Sequence, residues 1–219
     1  MSIIKGMLFQ IGQLRWSLLV TFGVSIATVS IFAGVAAYYD ISFAYFARDP
    51  AITLYGHPLT GALSHIGILI WCATVAICLF CAAVHRRYGR PGFARFMAYS
   101  ALLTALLMLD DLFMLHEYIL PLSLGVPQNG VYGAYLVLVI VYVLGFRRTL
   151  LTLEYSIFLM ACGWLGLSLL TDLLLAQSEL QFFLEDGLKL MGIATWLLFF
   201  ARSGFVQTIV LFKGDQPPR

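Results

Sequence analysis

Six stretches of the chain are almost wholly apolar, running approximately from Trp16 to Tyr38, Gly61 to Val84, Phe96 to Ile119, Val131 to Phe146, Tyr155 to Ala176 and Phe182 to Ala201. A helix needs about 20 residues to cross a hydrocarbon core of roughly 30 Å, and all but the fourth stretch reach that length. A backbone inside lipid has no water to bond, so each span must satisfy its own N–H and C=O groups, as a helix does. The stretches therefore predict an all-α fold, a polytopic membrane bundle of about six transmembrane helices. Composition agrees. Of 219 residues, 61% are hydrophobic and 11% charged, with a mean hydropathy of +0.92, whereas soluble domains are about half apolar and a quarter charged. Residues 1–219 are expected to form one transmembrane helical domain.

The ends are expected to lie outside that bundle. Residues 1–15 lack the continuous apolar core of a cleavable signal, and Ile3, Ile4, Met7, Leu8, Ile11 and Leu14 recur at helical spacing. This predicts an amphipathic segment lying in the membrane surface. Residues 205–219 are expected to be a cytoplasmic tail.

Charge placement predicts the orientation. Arg86, Arg87, Arg90 and Arg95 fall between the second and third stretches, Arg147 and Arg148 between the fourth and fifth, and Lys5, Arg15, Arg202, Lys213 and Arg219 near the ends. Eleven of the 13 Lys and Arg thus sit on one side, Arg48 and Lys189 being the exceptions. By the positive-inside rule that side is cytoplasmic, with both termini, in a cell inner or plasma membrane. A net charge of +2 with scattered basic residues excludes a nucleic-acid partner.

Acidic residues fall on the opposite side. Asp40, Asp49, Asp110, Asp111, Glu117, Asp172, Glu179, Glu185 and Asp186 make nine of eleven, and His57, His65 and His116 join them. The positive-inside rule does not demand this second asymmetry. Short loops carry turn signals: Asp49-Pro50 is expected to end a short surface helix after Asp40, and Asn129-Gly130 marks a tight turn.

Two stretches bring ionisable groups to one depth. At about 1.5 Å per residue from Phe96, Asp110 lies about 21 Å along its helix and inside the hydrocarbon, where ionisable side chains usually face the bundle interior and mark a site or a path. At 100° per residue a continuous helix would set Asp110 within about 20° of Glu117 and turn Asp111 toward another neighbour. Ser178 and Gln181 have the form of a capping box that starts the last helix, which puts Glu185 and Asp186 about 10 Å below it. Lys189 follows Glu185 at i+4, the favourable order for a pair on one face, and is expected to neutralise either Glu185 or an aspartate of the third stretch. Asp172 and His65, beside Ser64, reach the same layer.

Three chemistries fit this layer. Asp110, His116, Glu117 and His65 form an oxygen and nitrogen set suited to zinc, iron or manganese, with Glu185, Asp186 or Asp111 as catalytic groups acting on a lipid-like substrate. Alternatively, Lys189 and Asp172 belong to an ion-pair or proton path in a small coupled transporter. Or the charges dock helices in an accessory subunit with a membrane-protein partner. Membrane lipid surrounds the chain in each case. Cys72, Cys78, Cys81 and Cys162 all fall in apolar stretches and are expected to be small core residues, although Cys78 and Cys81 form a CxxC.

Ser64, His65, Asp110 and Asp111 resemble a fragment of the alkaline ceramidase-like membrane hydrolases, which set a serine, an aspartate and histidines around zinc. That pattern needs a histidine pair on a later helix, where this chain has Glu185, Asp186 and Lys189. Lys189 with the third-stretch aspartates is similar to retinal proteins, whose seven helices the six stretches do not match. These residues assign no family.

Overall fold

The computed structural model describes residues 3–48, 50 and 54–214, with side chains for those within 11–213. Among the described residues it is all-helical, with eight α-helices, one π-helical segment and no strand. In order these are α1 (Ile3–Tyr38), α2 (Ala44–Ala47), α3 (Ala62–Arg87), α4 (Pro91–Phe113), the π-helical segment (Leu115–Ile119), α5 (Leu120–Leu124), α6 (Gln128–Leu150), α7 (Tyr155–Leu174) and α8 (Glu179–Gly214). Six helices, all but α2 and α5, are long and apolar enough to cross a membrane.

Their boundaries differ from the apolar stretches in instructive ways. The fourth is not short: α6 spans 23 residues, because Pro127 supplies an extended residue before it and the polar Gln128 opens its first turn. The helix containing the sixth stretch continues past Ala201 to Gly214, so residues from 205 are helical at least that far. Ile3–Tyr38 is one unbroken helix with no boundary at Arg15. Asp49, Asp215, Arg219 and the side chains of Ile3, Ile4, Met7 and Leu8 lie outside the described residues.

The chain divides into two compact units, Met1–Thr60 and Gly61–Arg219. In the first, α1 ends where Asp40 takes a left-handed conformation (φ 52°), and Phe46 of α2 lies 5.4 Å from Phe32, ring centre to ring centre.

The second unit holds five long helices in alternating directions. α3, α6 and α8 begin, and α4 and α7 end, at what we term the acidic end; Arg86, Arg87, Arg90, Arg147 and Arg148 mark the opposite, basic end. α8 packs on α3 and α7, and α3 packs on α4. Two glycines permit this closeness, as small residues do wherever helices in lipid must gain contact by van der Waals packing alone. A Cβ at Gly192 would fall 2.6 Å from Leu165 Cγ and 3.0 Å from the Leu165 backbone nitrogen, and one at Gly204 would fall 2.6 Å from Cys81 Sγ.

The core between the two ends is aromatic. Trp71, Phe96, Phe158, Trp196, Phe199 and Phe200 are buried together with Met97 and Cys78. Trp71 meets Trp196 edge to face at 6.0 Å, and Phe158 lies 5.2 Å from Trp196, geometries favoured by the ring quadrupoles. Two polar pairs lie inside this layer: the Ser100 and Tyr142 hydroxyls share a bond of 2.6 Å, and the Trp196 indole donates to Thr104 at 3.0 Å. All four cysteines are free. Cys78 and Cys81 are buried as expected, but Cys72 is exposed on α3 and Cys162 only half-buried.

Candidate functional site

The acidic end is built around a broken helix. α4 stops at Phe113; Met114 takes a left-handed conformation (φ 50°), and the chain continues as five residues of π-helix. Asp110 stabilises the break twice, its carbonyl accepting the Met114 N–H and its Oδ1 accepting the His116 N–H at 2.9 Å. Single π turns inside helical segments recur at functional sites. The expectation of one continuous helix to Ile119 is thereby corrected, and with it the 100° reckoning: the turn folds His116 back onto Asp110 and leaves the Glu117 side chain about half exposed (52%).

Asp110 and His116 form the first pair. Asp110 is buried, and its Oδ2 lies 2.5 Å from His116 Nδ1, while the Tyr135 hydroxyl donates to Oδ1 at 2.8 Å. The His116 ring packs on Tyr132 at 5.1 Å, and its Nε2 lies 3.4 Å from Glu117 Oε1. A carboxylate on one ring nitrogen fixes the tautomer and orientation of the imidazole, leaving the other nitrogen for a proton, a substrate or a metal.

Asp111 and Lys189 form the second pair. Lys189 Nζ lies 2.6 Å from Asp111 Oδ1, and the Trp71 indole donates to Oδ2 at 2.8 Å. Asp111 does turn to a different neighbour from Asp110, as expected. Of the two partners expected for Lys189, the structure has the aspartate of the third stretch: the cross-helix carboxylate of Asp111 holds the ammonium, and the Glu185–Lys189 pair along α8 does not form. Glu185 Oε2 instead accepts the Gln181 amide at 2.6 Å. Ser178 caps α8 as predicted, its hydroxyl accepting the Gln181 N–H at 3.2 Å. The reciprocal half of a capping box is missing, since the Gln181 side chain is turned to Glu185.

Among the described residues, Asp172, near the end of α7, meets only neutral donors: the Tyr132 hydroxyl at 2.8 Å and the Gln128 amide at 3.2 Å.

These groups line one cavity of about 290 Å³ between α4, α6, α7 and α8. Its polar part carries Asp110, Asp111, His116, Asp172, Glu185 and Lys189; Leu107, Leu136, Val139, Leu165 and Leu169 form an apolar wall, with Trp71 and Trp196. A smaller space of about 30 Å³ lies against Ser64, Gly67 and Asp186 and shares Asp111 and Lys189 with the larger one. Six of the expected site residues thus meet in one cavity and Asp186 in its neighbour. Glu117 touches the site only through His116. His65 is exposed beside Gly61 and lines neither space.

Among the described residues, no group of three or more His, Cys, Asp and Glu side chains is placed to hold a metal ion. His116 Nε2 with Glu117 Oε1 is the pair that comes nearest.

Trp71, Gln128, Tyr132, Tyr135 and Gln181 are site residues that the sequence reading passed over. Gln128, Tyr132 and Tyr135 stand at i, i+4 and i+7 and so share one face of α6, a polar stripe at the mouth of an apolar helix that could have been noticed. Nothing local marks Trp71, whose partner Asp111 is forty residues away.

The basic end has a different character. His85 is fully buried against Phe93, ring centres 4.5 Å apart. At the surface Arg202 donates to Glu154 at 2.6 and 2.5 Å. That bond holds the Glu154 carboxyl below its ordinary range.

Among the described residues the fold and site define an all-helical protein with six apolar helices of spanning length and a charged, partly open cavity at one end of its larger unit. The family model described as "Domain of unknown function (DUF8692)" matches residues 7–203, and the chain belongs to that family. No curated protein and no solved structure matches it.

Proposed function

We propose that the chain is a multi-pass membrane protein, termini in the cytoplasm, whose cavity in the outer half of the bilayer receives one lipid-like molecule. The observation that carries this reading is the division of the cavity wall, apolar along Leu136, Val139, Leu165 and Leu169 and ionisable at Asp110, His116, Asp172 and Glu185. Ligand sites combine a mostly apolar lining with a few convergent polar groups, and an amphiphile from the surrounding leaflet matches both parts. Arginines concentrated at the basic end favour this orientation. His116, held by Asp110, supplies a general acid or base beside the head group.

Below the cavity the core continues as Trp196, Phe158, Phe199 and Phe200 rather than as further carboxylates. This favours a one-sided binding site over a proton or cation path. A divalent metal is the second reading, favoured by the 3.4 Å between His116 Nε2 and Glu117 Oε1: two ligands about 2.1 Å from a tetrahedral zinc stand about that far apart. Two protein ligands fall short of the three that catalytic zinc sites carry, so the acid–base reading ranks first.

A cavity-filling variant tests the ligand reading. Gly166 lines the cavity, and a Cβ there would meet nothing within 4 Å, so Gly166→Phe fills space without striking a neighbour at its Cβ. Purified protein in nanodiscs is expected to bind at least one twelve-carbon amphiphile saturably and with one-to-one stoichiometry, and Gly166→Phe to lose that binding. Absence of saturable binding, or its survival in Gly166→Phe, overturns the proposal.

A further inference from the structure

The charges lining the cavity do not balance. Four carboxylates face it, from Asp110, Asp111, Asp172 and Glu185, against two cationic groups, Lys189 and His116. The cations are already committed: Lys189 to Asp111 at 2.6 Å and His116 to Asp110 at 2.5 Å. Asp172 is left with the neutral Tyr132 and Gln128, and Glu185 with the neutral Gln181.

An uncompensated charge in an apolar setting is costly unless it gains a partner or a proton. Two such carboxylates, on the adjacent helices α7 and α8 and lining one cavity, leave a deficit of positive charge there. A separate observation at Glu185 agrees. Gln181 is 2% exposed, its amide nitrogen is spent on Glu185, and its Oε1 has no hydrogen-bond donor among the described residues. Orphaned buried acceptors are uncommon and call for an explanation. Carboxylates that meet neutral donors alone among the described residues suit a cationic ligand, and Tyr132, Trp71 and Trp196, whose ring type attracts cations, line the same cavity.

We propose that the ligand head is a protonated amine, received at Asp172 and Glu185, with its hydrocarbon body along Leu136, Val139, Leu165 and Leu169. The assignment rests on the ligand reading above and narrows it to long-chain amines. Phosphate and carboxylate heads are disfavoured, because they would add to the surplus of negative charge. Lys189 does not reverse this, since Asp111 holds it.

Three probes of equal chain length separate the possibilities: dodecylamine, dodecanol and dodecanoate, each measured against protein in phosphatidylcholine nanodiscs, with binding to Gly166→Phe subtracted as lipid partitioning. Dodecylamine is expected to bind at least about tenfold more tightly than dodecanol, a difference near 1.4 kcal/mol, with dodecanoate weakest. Asp172→Asn, which keeps the shape and can still accept from Tyr132, is expected to abolish the preference for the amine while dodecanol affinity holds. Glu185→Gln is a second variant with the same expectation, and retained dodecanol binding certifies the fold of each. Equal affinity for amine and alcohol, or an amine preference that survives both substitutions, overturns the assignment and leaves the ligand reading standing. Failure of all three probes to bind saturably overturns the ligand reading itself.

Discussion

The two halves of the larger unit are made from the same helices and treat space differently. Toward the basic end, α3, α4, α7 and α8 close on a layer of Phe158, Phe199 and Phe200 beneath Trp196, with Gly204 admitting the Cys81 side chain. Toward the acidic end, α4 breaks into a π turn, α6 contributes tyrosines instead of aliphatic knobs, and a cavity of about 290 Å³ remains. In lipid the hydrocarbon tails solvate apolar side chains as well as another helix does, so close contact is what holds helices together. The closed half is therefore where stability resides, and the open half is free to carry charges that packing alone would not favour. Trp71 joins them: it packs on Trp196 and donates to Asp111.

That junction gives the largest expected effect. Asp111→Ala removes the partner of Lys189 and of the Trp71 indole, leaving a mostly buried ammonium unpaired, at a cost of about 3 kcal/mol. Replacing both charges, Asp111→Leu with Lys189→Met, should recover most of that loss. Denaturant titrations in mixed micelles read the stability. If the double variant is as unstable as the single one, the ion pair itself holds the fold, and the assignment of stability to the closed half fails.

A smaller effect contrasts two glycines. Gly204→Ala places its Cβ 2.6 Å from Cys81 Sγ, and overpacking of this kind costs about 1–3 kcal/mol. Gly166→Ala, facing open space, should change stability by less than about 0.5 kcal/mol. Equal losses at both positions would show that the cavity wall is as tightly packed as the seam.

The legible and illegible parts of the sequence divide along the same line. Span number and approximate limits follow from runs of apolar residues, because helix length and hydropathy are local properties. The convergence of Asp110, Asp111, His116, Asp172, Glu185 and Lys189 followed from depth alone. Pairing did not. Lys189 had two acceptable partners, Glu185 at i−4 and an aspartate of the third stretch; it takes Asp111, and the choice depends on how α3, α4 and α8 meet. Met114 in a left-handed conformation was equally hidden, since no glycine or asparagine advertises it. The assumption of a straight helix consequently gave Glu117 a position that His116 occupies. His65 illustrates the converse: its depth was suitable, but it projects away from the cavity.

The smallest effect tests whether charge contributes to stability at the basic end. Glu154 and Arg202 are joined by two short bonds but stand at the surface, where ion pairs contribute little and are screened by salt. Arg202 lowers the Glu154 proton affinity in the folded chain, so the stabilisation is complete above the ordinary carboxyl range and is lost as pH falls through the depressed folded value. Stability curves of the native chain and Glu154→Gln should accordingly run apart by a small amount at neutral pH and low salt, then merge on acidification or in about 1 M salt. A gap that persists in acid would mean that Glu154 acts through packing rather than charge, and that the basic end, like the rest of the closed half, is held by contact alone.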